Sequence, residues 1–320
     1  MRLLLTGAGG FVGQALRQSL LSNADYTLCC AYRRFPADAV PTSQDVAVGS
    51  ITESTDWSSL LAGVEVVVHT AAIAHAQGRR FQEVLPCLDR VNAAATLALA
   101  KQAAEAGVKR FVFLSTIKVH GEQTLLNQSF IADIEPVPTD PYAISKWKAE
   151  QGLLEISRET GLEVVIIRSV LIYGVGVKAN FLSMMRWLYK GVPLPFGAIH
   201  NRRSLVALDN LIDLIVTCID HPAAANQTFL VSDGEDLSTT ELLRRMGVAL
   251  GRPARLLPVP SWMLEAGAAV LGKQALSQRL CGSLQVDISK TRELLNWTPP
   301  VSVDEALRKT AKHFLEQQSK

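Results

Sequence analysis

The sequence predicts an α/β protein, a doubly wound parallel sheet with helices on both faces, joined to a smaller C-terminal α/β lobe. Short β-rich runs alternate with helical patterns through the first half, the order that a parallel sheet with crossover helices requires. Glycines spaced three apart follow the first strand, and prolines and glycines gather in the stretch beyond Arg168.

RLLLT opens the chain as a strand, and Val12 to Leu21 reads as the helix after the glycine turn. YTLCCAY and VEVVVHTA are the next strand candidates, short apolar runs with β-forming residues. Asp89 to Ala106 carries helical patterning that stops at Ala106-Gly107, after which RFVFLST resumes strand character. The next helix runs from Tyr142 to Thr160, with Pro141 in its first turn and Gly161 at its end. EVVIIRSV closes the alternating half. YGVGVKANF and GVPLPFGAIHNRRS then read as loops, and SLVALDNLIDLIVTCID restores a strand-and-helix pattern. We expect a first lobe over residues 1–170, to which the chain returns at about 203–225, and a second lobe from 171–202 and 226–320.

The chain has 320 residues, 48% of them hydrophobic, with a net charge of +2. That suits a globular protein with a sizeable core. Its basic residues form no run, which argues against a nucleic-acid partner. Five cysteines, an odd number with no Cys-x-x-Cys pair, argue against a disulfide framework or a metal site. Strand-like residues begin at Arg2, and the apolar run Trp262 to Leu271 is broken by Glu265. A cytoplasmic protein without membrane insertion is expected.

In LLLTGAGGFVGQAL, Gly7 allows a tight turn, Gly10 lets backbone approach a pyrophosphate, and Gly13 lets the helix pack close to the strand. The helix that Phe11 and Val12 open would present its N-terminus to the phosphates. A bare glycine triplet could be only a flexible turn. Its place between strand and helix points to a dinucleotide and a Rossmann-like domain. After the second strand stand Arg33 and Arg34, and the nearest acid is Asp38. Two guanidiniums suit a 2′-phosphate, so NADP(H) is expected over NAD(H).

DPYAISKWKAE sets Tyr142 and Lys146 four apart, on one face of a helix, where an ammonium can lower a phenol's pKa. FLSTIKVHG delivers two hydroxyls, Ser115 and Thr116, at a strand end. Either feature alone has an ordinary reading, as an exposed helical pair or a turn cap.

Taken in order, TGAGGFVG, HTAA (69–72), VNAAATLALAKQAAEAGVKRFVFLST (91–116), YAISK, RSVLIYGVG and RRSLVALDNL resemble the extended short-chain dehydrogenase/reductases. These form the NAD-dependent epimerase/dehydratase family of sugar-nucleotide enzymes. The resemblance implies Tyr142 as general acid and base, Lys146 on the nicotinamide ribose, and Thr116, with Ser115 beside it, on the substrate oxygen. It implies cofactor contacts at Gly7, Gly10, Phe11, Val12, Gly13 and Ala71. It also implies a nucleotide-sugar lobe in which Asn180, Phe181, Phe196 and Arg203 meet a UDP-sugar. His120 departs from the family's Val-Tyr-Gly. Asn92 matches a recurrent Asn that could equally cap a helix. Homodimers through the helices at Asp89–Ala106 and Tyr142–Thr160 are a further implication.

Family 4,6-dehydratases carry an Asp-Glu pair after the Thr, and epimerase-reductases a Cys; here Ile117 and Lys118 stand there instead. Hydride transfer remains, used once by a reductase or twice by an epimerase. The resemblance favours a 4-ketoreductase acting on a UDP-4-keto-6-deoxy-N-acetylhexosamine in bacterial O-antigen and lipopolysaccharide synthesis. The alternative is a UDP-hexose 4-epimerase for UDP-glucose or UDP-N-acetylglucosamine. A non-catalytic dinucleotide-sensing regulator is a third reading, disfavoured because both Tyr142 and Lys146 are present.

Overall fold

The structure is a computed structural model describing residues 1–35, 44–73, 81–270, 272 and 274–319. Asp38 lies outside the described residues. In chain order the strands are β1 (Arg2–Thr6), β2 (Thr27–Tyr32), β3 (Asp45–Ala47), β4 (Val66–His69), β5 (Arg110–Thr116), β6 (Ser129–Phe130), β7 (Glu163–Ser169), β8 (Leu171–Tyr173), β9 (Arg203–Ala207), β10 (Thr228–Val231), β11 (Asp236–Leu237) and β12 (Gln285–Val286).

Seven strands form one parallel sheet in the order β10-β7-β5-β4-β1-β2-β3. From β1 the chain builds outward through β2 and β3, then returns to build the other way from β4. The crevice at the carboxyl ends of β1 and β4 is therefore the place where such sheets bind ligands.

Alternation along each strand divides the core. Leu3, Leu5, Val66, Val68, Val112, Val165 and Ile167 pack with the helices Phe11–Leu21 and Leu208–Asp220. Leu4, Val67, Phe111, Phe113, Val164 and Ile166 pack with Ala95–Glu105 and Pro141–Thr160. Because both faces are covered, these strands are apolar throughout rather than alternately polar.

The sequence expectation of a Rossmann-like parallel sheet agrees with this architecture. Details of the helices and strands differ. β3 and β10 were not among the expected strands. The helix expected from Asp89 is preceded by Phe81–Leu88, which contains Pro86, and enters Ala95–Glu105 through a π-helical turn, Asp89–Ala94. An extra residue in that turn shifts the phase of the helix, which a fixed helical period does not register.

A second core gathers Tyr173, Phe181, Met185, Leu205, Leu243 and Phe314 between a small sheet, β11-β9-β8, and the helices Ala179–Tyr189, Thr239–Ala249 and Val303–Gln318. Among the described residues no helix is long and apolar enough to cross a membrane.

Candidate active site

The glycine turn is fixed by contact. Gly7 has φ +76°, and a Cβ there would lie 2.6 Å from the Ala71 nitrogen. A Cβ on Gly13 would lie 2.1 Å from the Gly7 oxygen, so the helix can approach β1 only with glycine there. Gly10 closes the turn by donating its N–H to the Gly7 oxygen at 2.8 Å and is the N-cap of Phe11–Leu21, with no side-chain cap. Helix-start N–H groups are thus left for an anion. Gly7, Gly10, Gly13 and Ala71 come together at the crevice, with Phe11 and Val12 on the helix's first turn.

Behind the turn, His69 is fully buried between two hydroxyls. Its Nδ1 is 2.7 Å from Thr6 Oγ1 and its Nε2 2.9 Å from Thr96 Oγ1. Burial, with Lys146 nearby, pushes it down to about 3, so it is neutral at physiological pH. Asn92 does not cap a helix. Its Oδ1 accepts the Ile73 N–H at 2.8 Å, and its Nδ2 donates to the Ile73 oxygen and to Ser145 Oγ, each at 3.0 Å. It thus joins the segment after β4 to the Tyr142 helix.

That helix, Pro141–Thr160, begins at Asp140, whose Oδ1 accepts the N–H groups of Tyr142 at 2.9 Å and Ala143 at 3.0 Å. Lys118 Nζ lies 3.0 Å from Asp140 Oδ2, and Thr116 Oγ1 accepts the Lys118 N–H at 3.3 Å. The strand end carrying Thr116 and the helix start carrying Tyr142 are therefore tied by one residue. Burial, then the Asp140 carboxylate, pushes the Tyr142 phenol up to about 12. Burial pushes Lys146 down to about 7, against an opposing pull from Glu150.

Ser115 is not brought to this group. Alternation turns it from Thr116, and its hydroxyl donates to the buried Glu150. Glu150 in turn pairs with Arg168, whose Nη2 is 2.6 Å from Oε2, and Arg168 Nη1 lies 2.7 Å from His120 Nε2. Because arginine only donates, Nε2 is the acceptor, and the proton of neutral His120 resides on Nδ1. Nδ1 is buried and makes no hydrogen bond among the described residues.

In the second lobe the expected substrate residues separate. Asn180 is exposed in the first turn of Ala179–Tyr189. Phe181 is buried and stacks on Tyr173 with centroids 5.3 Å apart, so its side chain is spent on the core. Phe196 is half-buried, its carbonyl accepting from Thr240 Oγ1 at 2.6 Å. Arg203 donates to the Gly282 oxygen at 3.0 Å and is lowered by burial, then by Arg279 nearby, with Glu122 acting the other way. Arg279 was missed in the sequence; nothing local in QALSQRLC marks it, and only the fold sets it near Arg203. Arg33 and Arg34 are exposed just beyond β2.

Residues 3–232 match the family described as NAD dependent epimerase/dehydratase. The chain belongs to that family. A UDP-glucose 4-epimerase of Vibrio cholerae is 48% identical over 317 residues, 98% of this chain and 95% of that protein. Among solved structures, a UDP-glucuronic acid 4-epimerase from Bacillus cereus, in complex with NAD, superposes with a TM-score of 0.78 at 21% identity, covering 100% of this chain and 98% of that one. A Thermotoga maritima UDP-glucose 4-epimerase with UDP-glucose gives 0.77 at 21%, covering 99% and 100%. At that identity the two structures speak to the fold.

For this epimerase/dehydratase family member the residues present fit a dinucleotide. The space at Gly10 would admit only a Cβ pressed to 3.1 Å from the Gly7 oxygen, and the helix start behind it has no side chain to cap it. Lys146 supplies an ammonium that makes no hydrogen bond among the described residues and is free to take hydroxyl partners.

Proposed function

We propose that the protein is a UDP-hexose 4-epimerase that works through a retained NAD. The observation that carries this is the 48% identity, along almost the whole chain, to a protein named as a UDP-glucose 4-epimerase. The residues after Thr116 agree, since Ile117 and Lys118 offer no carboxylate for dehydration.

Thr116 hydrogen-bonds the C4 oxygen of the sugar, and Tyr142 takes the proton from that oxygen and gives it back to the same oxygen once the ring has turned its other face to the site. Bound NAD would supply a hydride acceptor and donor at C4. Lys146 holds the ribose hydroxyls and, charged, favours the phenolate of Tyr142. Gly7, Gly10, Phe11, Val12, Gly13 and Ala71 shape the dinucleotide site. On the family resemblance, Asn180 and Phe196 would meet the nucleotide half of the sugar nucleotide. Arg203 and Arg279 together would grip its diphosphate. Ser115 and the side chain of Phe181 are given supporting roles instead, through Glu150 and the core. Pairing of two copies through the segments Asp89–Ala106 and Tyr142–Thr160 rests on the family resemblance, as does a place in surface-polysaccharide synthesis.

NAD is preferred here to NADP because the B. cereus neighbour holds NAD. One observation favours the 4-ketoreductase as a second reading. Arg33 and Arg34 stand exposed just beyond β2, two guanidiniums suit a 2′-phosphate, and a reductase exchanges its cofactor each turnover.

The deciding assay incubates purified protein with UDP-glucose and, separately, UDP-N-acetylglucosamine, without added cofactor. Formation of the C4 epimer is expected. No epimer, together with oxidation of NADPH or NADH by a UDP-4-keto-6-deoxy-sugar, would transfer the assignment to the reductase.

A further inference from the structure

We infer that Lys118 is a positioning residue for Tyr142, holding the carboxylate that starts its helix and balancing that carboxylate's charge. This rests on the reading of Tyr142 as acid and base. Lys118 occupies a place where the resemblance offers an acid in dehydratases.

The geometry has two arms. Asp140 spends one oxygen on the helix start, at 2.9 Å from the Tyr142 nitrogen and 3.0 Å from that of Ala143, and the other on Lys118 Nζ at 3.0 Å. Lys118 is also joined backward, through its N–H to Thr116 Oγ1 at 3.3 Å. One side chain and its own backbone thus set the spacing between the strand-end hydroxyl and the phenol. Glu122, 2.5 Å from the same ammonium, is its second carboxylate partner.

The charges around the phenol give Lys118 a second effect. Asp140 is the carboxylate that acts on Tyr142, while Glu122 pairs with Lys118 and Arg203 lies close enough to Glu122 to feel its charge. Lys146 lies one helical turn beyond Tyr142, with Glu150 a turn further. His120, two residues beyond Lys118, is pushed down to about 4 by burial, then by Arg168, and contributes no charge at neutral pH. Asp140 opposes ionisation of Tyr142. Lys118 is in contact with Asp140, so removing it leaves that carboxylate less balanced and the phenolate harder to form.

The test reads the phenol directly, as phenolate absorbance against pH in the purified full-length protein, with Tyr142→Phe subtracted to isolate this tyrosine. Lys118→Met should raise the phenol's pKa by roughly half to one unit. Lys118→Gln, which retains a donor for Asp140 but no charge, should do the same, and Lys118→Arg should restore the wild-type value. Asp140→Asn, which still caps the helix, should lower it, and the shift caused by Lys118→Met should shrink in that background. The rising limb of kcat against pH should move with the phenol while KM for the sugar nucleotide stays within about twofold. A merely structural lysine would change thermal stability and leave both titrations in place. An unshifted phenol in folded Lys118→Met and Lys118→Gln would overturn the inference. Full activity in Tyr142→Phe would instead remove the acid–base reading, which keeps the two failures distinct.

Discussion

Lys146 Nζ lies 4.0 Å from the centroid of the Phe113 ring, so the ammonium on the Pro141–Thr160 helix rests on the face of a strand residue. An aromatic face attracts a cation but does not replace its water, which is why burial dominates and Lys146 sits at about 7.

Stability should therefore rise with pH in the dinucleotide-free protein. Folded Lys146 loses its proton near pH 7 and unfolded Lys146 near its ordinary 10.5, so between them the unfolded chain binds more protons. Chemical denaturation from pH 7 to 10 should show a positive slope that Lys146→Met abolishes. An identical slope in that variant would show that other groups produce it.

Tyr142→Phe should lower kcat by roughly 10²–10⁴-fold, the range for removing a positioned acid or base. Bound dinucleotide should be retained, measured by release on denaturation. Thr116→Ala should lower kcat less and leave dinucleotide content unchanged. Equal loss of nucleotide in both variants would move the two residues from chemistry to cofactor binding.

Glu150→Gln should destabilise the fold by about 3–5 kcal/mol, since it leaves the Arg168 guanidinium buried without its counter-charge. The two side chains are 0% and 5% exposed, so solvent cannot compensate. Guanidinium unfolding measures this. The joint change Glu150→Leu with Arg168→Met should recover much of the loss; a loss equal to the single variant's would mean that packing, not charge, is at stake.

Wild-type protein should bind NAD at least as tightly as NADP, and replacing Arg33 and Arg34 by Ala should weaken only NADP. A charge-assisted contact contributes about 1.5–3 kcal/mol, so a true 2′-phosphate grip would show as a preference above tenfold. Calorimetric titration finding that preference for NADP would return weight to the ketoreductase.

What could be read in advance follows from how local each constraint is. The glycine turn was legible because Gly7 and Gly13 meet backbone, and no other residue fits there. The Tyr142 helix was legible because Asp140 and Pro141 open it and Gly161, at φ +76°, closes it. The link from Ser115 to Glu150 spans 35 residues and depends on which face of β5 each hydroxyl occupies, so a Ser-Thr pair could not announce it. Phe181 and Phe196 look alike in sequence, and only the second core shows that it buries the first and takes the second, half-buried, at its edge. β10, TFLV, is too short to stand out until β7 offers it an edge.

That last pairing bears on how the chain is made. β10 borders β7, yet β8, the Ala179–Tyr189 helix, β9 and the Leu208–Asp220 helix are synthesised between them. While the ribosome is producing those segments, β7 presents an open row of backbone donors and acceptors, the kind of edge on which strands from other chains add. The nascent protein is most exposed to aggregation in that interval. A chain interrupted before Thr228 would keep the hazard permanently, even with its glycine turn and its tyrosine helix complete.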